Sequence, residues 1–317
     1  MDQPDAEHPN NNGIIQSQES AADTLTTAVR IQAAEATSPP ALKPSGCDTC
    51  GRGAQTDSSE APKVPIYALG RIEARFPSPA TEKEYLQAVG RSESSGRTNQ
   101  EAFYEALSRR ENRYLARKLC WVLKIQGIET YILVPQDPAD VDLLVEAVRP
   151  APTPLDMDVV IGRRGPIAPP EFCNGLMIPI VAFEQVYSFD SQTLIRAIPR
   201  PENADPQKFE AAAYELLGGI MDNVDNAGAT DADRAKNYLF MRYPGIYSKT
   251  FDRQEHDFSL RSIDTKPSDL SGTRKIVDVI LRFSHRKTDV TETYFVRVDV
   301  TEEFPFLVSK LVPYFDR

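Results

Sequence analysis

Apolar positions first organise at Val64. Ile66, Tyr67, Leu69 and Ile72 precede Phe76-Pro77 and predict a strand, straight or bent at Gly70. Thr81 heads a helix through Val89, with Glu84 three residues on as the partner of a capping box. After a polar loop over 90–99, Phe103, Tyr104 and Leu107, then Tyr114 and Leu115, mark a second helical region. Cys120-Trp-Val-Leu-Lys-Ile and Ile128-Glu-Thr-Tyr-Ile-Leu-Val flank Gln126-Gly127, a strong hairpin signal. Asp137-Pro138 opens a helix whose stripe of Val141, Leu144, Val145 and Val148 suits burial against that hairpin. Val159–Ile161 and Met177–Phe183 read as buried strands separated by a Pro-rich loop.

The clearest helix is Pro206–Val224, with Phe209, Ala213, Leu216, Ile220 and Val224 on one face. A shorter one, Asp231–Arg242, stops at Pro244-Gly245. The chain closes with two alternating strands, Ile276–Phe283 and Tyr294–Val300. Hairpins and separate helices, without repeated strand-helix units, predict an α+β fold. Residues 63–317 read as one such domain, with a subdomain junction at 199–206.

Residues 1–62 break this pattern. They hold no Phe, Tyr or Trp, and nine acidic residues against three basic ones, so most of the formal charge of −10 falls there. A segment of this composition cannot bury enough apolar area to offset its ordering entropy and is expected to be a disordered acidic tail. Within it Ala21–Ala36 has Leu25 and Val29 at helical spacing, either a docking helix or an Ala-rich flicker without a partner. The acidity argues against a nucleic-acid partner. No window holds the roughly 20 consecutive apolar residues of a membrane helix, and Met1–Glu19 lacks the features of a secretory signal. A cytoplasmic protein with reduced thiols is therefore expected, since four cysteines among 317 residues are too few for a disulfide scaffold.

Those cysteines raise one metal reading. Cys47 and Cys50 have the spacing of a zinc half-site or a redox pair, and a complete zinc site would need Cys120 and Cys173 as well. The competing reading leaves Cys47 and Cys50 in the tail and Cys120 as a core thiol beside Trp121. Of three histidines, His8 lies in the tail, while His256 and His285 sit in no motif that activates a nucleophile. Phosphate-binding loops and a nucleophile elbow are missing as well. Asp222–Asp231 has the look of a calcium loop, but Val224 and Ala227 occupy ligand spacings, so a helix end and the next N-cap fit better. Arg163 and Arg164 follow a strand and are candidates to grip a carboxylate or phosphate.

Five strings carry a family resemblance: Tyr67-Ala-Leu-Gly-Arg-Ile-Glu-Ala-Arg-Phe-Pro77, Cys120-Trp-Val-Leu123, Glu129-Thr-Tyr-Ile-Leu-Val-Pro-Gln-Asp137, Gly165-Pro-Ile-Ala-Pro-Pro-Glu171 and Val296-Arg-Val-Asp-Val-Thr-Glu-Glu-Phe-Pro305. Together they resemble the C-terminal domain of the cyanobactin maturation proteins PatA and PatG, over about residues 63–317. Such relatives usually carry this domain behind a subtilisin-like protease acting on a ribosomally made precursor peptide. Here a tail of about 62 residues cannot house a protease, and the subtilisin motifs are missing. The resemblance implies a stand-alone, noncatalytic accessory protein of ribosomal peptide maturation, whose partners are a precursor peptide, its modifying enzyme or a protease. The expected peptide contacts are Arg163, Arg164, Glu171 and Asn174. Two alternatives stand beside it: a peptide-modifying enzyme using the 163–175 loop with Arg164, Glu171, Cys173 and Asn174, and a structural zinc protein.

Overall fold

The computed structural model describes residues 64–90, 99–153, 156–198, 200, 202, 204–223 and 226–315. The expectations placed on residues 1–62, including Cys47, Cys50 and His8, lie outside them. The fold is α+β. Five strands close into a barrel in the order β1-β2-β3-β5-β4: β1 (Val64–Arg75), β2 (Cys120–Ile125), β3 (Ile128–Pro135), β4 (Met157–Ile167) and β5 (Pro179–Phe189). Four of the five pairings are antiparallel, as expected from hairpins. The closing pair, β3 with β5, is parallel over Ile132–Pro135 and has no local signature.

Strand alternation explains what fills the barrel. Ile66 and Ala68, Trp121 and Leu123, Tyr131 and Leu133, Val160, and Val181 and Phe183 turn inward into one buried cluster. Helices α1 (Pro79–Gly90), α2 (Asn99–Ser108), α3 (Arg113–Lys118) and α4 (Val141–Ala147) come from the stretches of chain between β1 and β4 in sequence. Leu107, Leu115, Leu144 and Val145 join the same cluster. The start of α1 lies earlier than expected: Ser78 caps it, accepting from the Thr81 N–H at 3.3 Å, and Pro79 stands at the first helical position. Glu84 pairs with Lys118 on α3 instead of closing a capping box.

The outward residues of β1 and β4 are buried too. Tyr67, Leu69, Val159 and Ile161 pack on a second cluster, which is why residues 66–69 read as a continuous apolar run. That cluster belongs to the rest of the chain: α5 (Ser191–Ala197), α6 (Pro206–Asn223), α7 (Asp231–Arg242), α8 (Gly245–Glu255) and a second sheet. The sheet is built from β6 (Phe258–Pro267), β7 (Ile276–His285), β8 (Thr291–Asp299), β9 (Phe306–Leu307) and β10 (Val312–Pro313). Its order is β10-β8-β7-β6, with β9 also pairing β8. Val277, Val279, Leu281, Val296 and Val298 form its inner face, and Ala235, Leu239 and Phe240 of α7 lie in the same cluster.

Helix α7 starts where the 222–231 segment predicted an N-cap. Thr230 and Asp233 form a reciprocal capping box. Two buried side chains then tie the helix to both sheets. The Asn237 amide donates to the Tyr67 carbonyl at 2.7 Å and to Asn226 at 2.8 Å. The Gly228 carbonyl accepts from the Tyr67 N–H at 2.9 Å, which extends the hydrogen bonding of β1. On the other side, Arg234, 1% exposed, donates to the carbonyls of Val300, Glu302 and Glu303. Among the described residues no helix is long and apolar enough to cross a membrane.

Candidate functional site

Strand β4 runs on through Ile167, so Arg163 and Arg164 lie within a strand and not in the loop where they were expected. Neighbouring strand residues point to opposite faces, and the two guanidiniums accordingly reach different neighbours. Arg163 is ion-paired with Glu303, at the end of the second sheet. Arg164 lies beside the hydroxyl of Tyr131; burial raises that phenol above its ordinary value, and the Arg164 charge and hydrogen bond partly offset the rise. A single two-arginine clamp is therefore not formed. Glu171 and Asn174 are exposed farther along, in the loop between β4 and β5. Asn174, at φ 49°, and Gly175, at φ 83°, make its turn.

The same loop holds the largest departure from expectation. Cys173, fully buried, is joined by a disulfide to Cys120 at the start of β2, with the two Cα atoms 5.9 Å apart. The expectation of reduced thiols is corrected at this pair. Both sulfurs sit among Ile132, Ala168, Leu176, Ile178 and Ile180, so apolar packing brings together residues 53 apart in the chain. While the bond is intact neither sulfur is a thiolate, the form in which cysteine binds zinc. Among the described residues no three metal-binding side chains gather. Trypsin should release Leu119–Lys124 linked to Gly165–Arg196 as one mass that splits on reduction. Two separate masses before reduction would contradict the pairing.

Loop hydrogen bonds from Ala168 to Ile178 (2.9 Å) and from Gly175 to Pro170 (2.8 Å) hold the segment together below the disulfide. Ile167, Phe172 and Met177 emerge from it exposed, at 62, 44 and 59%. The histidines behave as surface imidazoles. His256 lies at the end of α8 with Nδ1 2.7 Å from the Asp252 carbonyl. His285 packs edge-on against Phe258 and accepts from the Lys287 N–H at 3.2 Å.

A feature that sequence reasoning missed lies at the rim of the second sheet. Among the described residues the barrel has no free edge, but β6 pairs only with β7. Among the described residues nothing bonds the outward backbone groups of Ser259–Lys266. Between Leu260 and Ser262 the register shifts, leaving Arg261 as the extra residue of a bulge, exposed to solvent. Strand β6 is half-exposed on both faces, so its residues lack the clean apolar alternation that marks a strand.

Comparison with known proteins agrees with this architecture. A solved structure described as "PatG Domain of Unknown Function" superposes with a TM-score of 0.64 at 19% identity, covering 80% of this chain and 99% of that chain. At that identity the likeness shows the fold. No curated protein matches the chain. The family model described as "PatG C-terminal" matches residues 203–314, the part that holds α6 to β10, a shorter span than the 63–317 of the sequence resemblance. Over residues 203–314 the chain is thus similar to the PatG C-terminal family, and its fold is that of the solved PatG domain.

Proposed function

We propose that the chain is a noncatalytic accessory protein of ribosomal peptide maturation that binds a precursor peptide. The observation that carries this reading is the open edge of β6. An extended peptide can add to such an edge through main-chain hydrogen bonds, which are indifferent to side chains and so suit a precursor whose sequence varies. The enzyme alternative drew on Cys173 as a reactive group, and a buried, bonded cysteine offers no nucleophile.

A second reading, docking on the modifying enzyme, has its own support in the exposed ridge of Ile167, Phe172 and Met177 beside Glu171 and Asn174, anchored by the disulfide. Calorimetric titration of a precursor peptide into the full chain tests the first reading. Saturable binding, unchanged by His256→Ala, is expected. No heat with the peptide, together with a complex formed with the modifying enzyme and weakened by Phe172→Ser, would move the function to the second.

A further inference from the structure

We infer that the outer edge of β6 takes an extended acidic peptide segment by strand addition, with Arg261 as its charge clamp. This rests on the peptide-binding reading and names the site and the chemistry of the partner. Two features delimit the edge. At one end the bulge at Arg261 interrupts the ladder, and at the other Pro267 has no N–H to donate. Ser262–Lys266 is the uninterrupted stretch between them, and alternate residues of an edge strand turn their N–H and C=O groups outward.

Charge selects the occupant. The one carboxylate on the stretch, Asp264, is already answered by Arg282 of β7 at 3.2 Å and accepts from Ser262 Oγ at 2.9 Å. Lys266 is turned to the Tyr314 hydroxyl at 3.0 Å. Arg261 has no carboxylate within ion-pair distance among the described residues, and a bulge re-aims the side chain it carries. The charge without a carboxylate along the edge is therefore positive. The Lys266 ammonium is held on the Tyr314 hydroxyl and ring, which leaves Arg261 at the boundary as the cation free to fix the register of a strand that main-chain bonds alone would let slip. Charged residues, bulges and proline also guard free edges against self-association, and this protective role makes a different prediction.

The probe is a capped synthetic peptide of alternating Thr and Val around a central Glu-Asp pair, titrated into the 15N-labelled full chain. A reader of main-chain groups must tolerate such a sequence. Amide shifts concentrated on Ser262–Lys266 and slowed exchange there are expected. Arg261→Ala should weaken binding about tenfold or more without changing the melting temperature. The Gln-Asn form of the peptide should lose a similar factor, and adding Arg261→Ala to it should cost little more. N-methylation of alternate peptide residues should abolish binding. Unmoved β6 amides, equal binding of the N-methylated peptide, or Arg261→Ala causing self-association at unchanged peptide affinity would each overturn the inference. If a precursor peptide binds while the β6 amides stay still, the peptide-binding reading survives and only the edge falls.

Discussion

Replacing Arg234 by Met is expected to destabilise the full chain by about 3–5 kcal/mol, the range seen when one partner of a buried charged contact is removed. Methionine fills much of the volume but leaves the carbonyls of Val300, Glu302 and Glu303 without their shared donor. Each buried acceptor left unsatisfied costs about 1–3 kcal/mol, less what entering water recovers. For a domain of this size that corresponds to a melting temperature lower by roughly 10 °C. Arg234→Lys should recover only part, because an ammonium cannot present a planar fork to several carbonyls. The nearby Asp231, 3.7 Å away and 42% exposed, provides the contrast: Asp231→Asn should cost less than about 1 kcal/mol. Thermal and urea unfolding of the three variants measure this. A loss under about 1 kcal/mol for Arg234→Met would show that the 300–303 turn holds itself.

The second large effect is expected at Gly228. Its φ is +69°, and a Cβ there would overlap the Tyr67 carbonyl oxygen and lie 2.6 Å from the Ala68 Cα. Both obstacles are backbone of β1, held by β4 on one side and by the Gly228 carbonyl and Asn237 amide on the other, so they cannot yield cheaply. Overpacking of about 1–3 kcal/mol and a left-handed penalty of about 1–2 kcal/mol put Gly228→Ala at roughly 2–5 kcal/mol. Gly127, at φ +80° in the β2–β3 turn, has open space around it, so Gly127→Ala should show the backbone penalty alone. Equal unfolding free energies for the two variants would mean that the contact between Gly228 and β1 relaxes.

The helices and hairpins were legible where local chemistry decides. Gln126 and Gly127 both adopt positive φ, as a two-residue hairpin turn requires, and α7 spans Asp231–Arg242 as its pattern predicts. Strands β7 and β8 followed from alternation, although β7 proves buried on both faces over Ile276–Leu281. What stayed hidden depends on distant partners. Barrel closure by β3 and β5 rests on a short parallel pairing between strands far apart in sequence. The disulfide joins a strand to a loop through packing that no spacing announces.

At the candidate site, the sequence placed Glu171 and Asn174 in a loop between strands, and both are exposed there. Placing Arg163 and Arg164 in a loop failed because Gly165-Pro166 reads as a breaker, whereas β4 continues through it to Ile167. Arg261 passed unnoticed because Ser-Leu-Arg-Ser-Ile-Asp-Thr has no period of two once a bulge shifts it. Helix α8 was missed for a related reason: Pro244-Gly245 looks like a stop, yet Gly245 opens the next helix.

Strand β1 has a consequence for the order of events during synthesis. It is made first among the described residues, yet its partners are spread along the chain: β2 follows soon, β4 pairs Arg164 with Val64, and Asn237, the anchor on Tyr67, is 170 residues downstream. At translation speeds of about 5–20 residues per second, that last partner leaves the ribosome roughly 10–30 s after the strand. Until β4 and β5 emerge and close the barrel, β1, β2 and β3 can fold back on one another as a meander. Its outer strands keep open edges, and the Tyr67 and Leu69 face of β1 has nothing to cover it. A nascent chain of this protein is therefore expected to spend its vulnerable interval as a sticky three-stranded sheet, the form a ribosome-bound chaperone would meet.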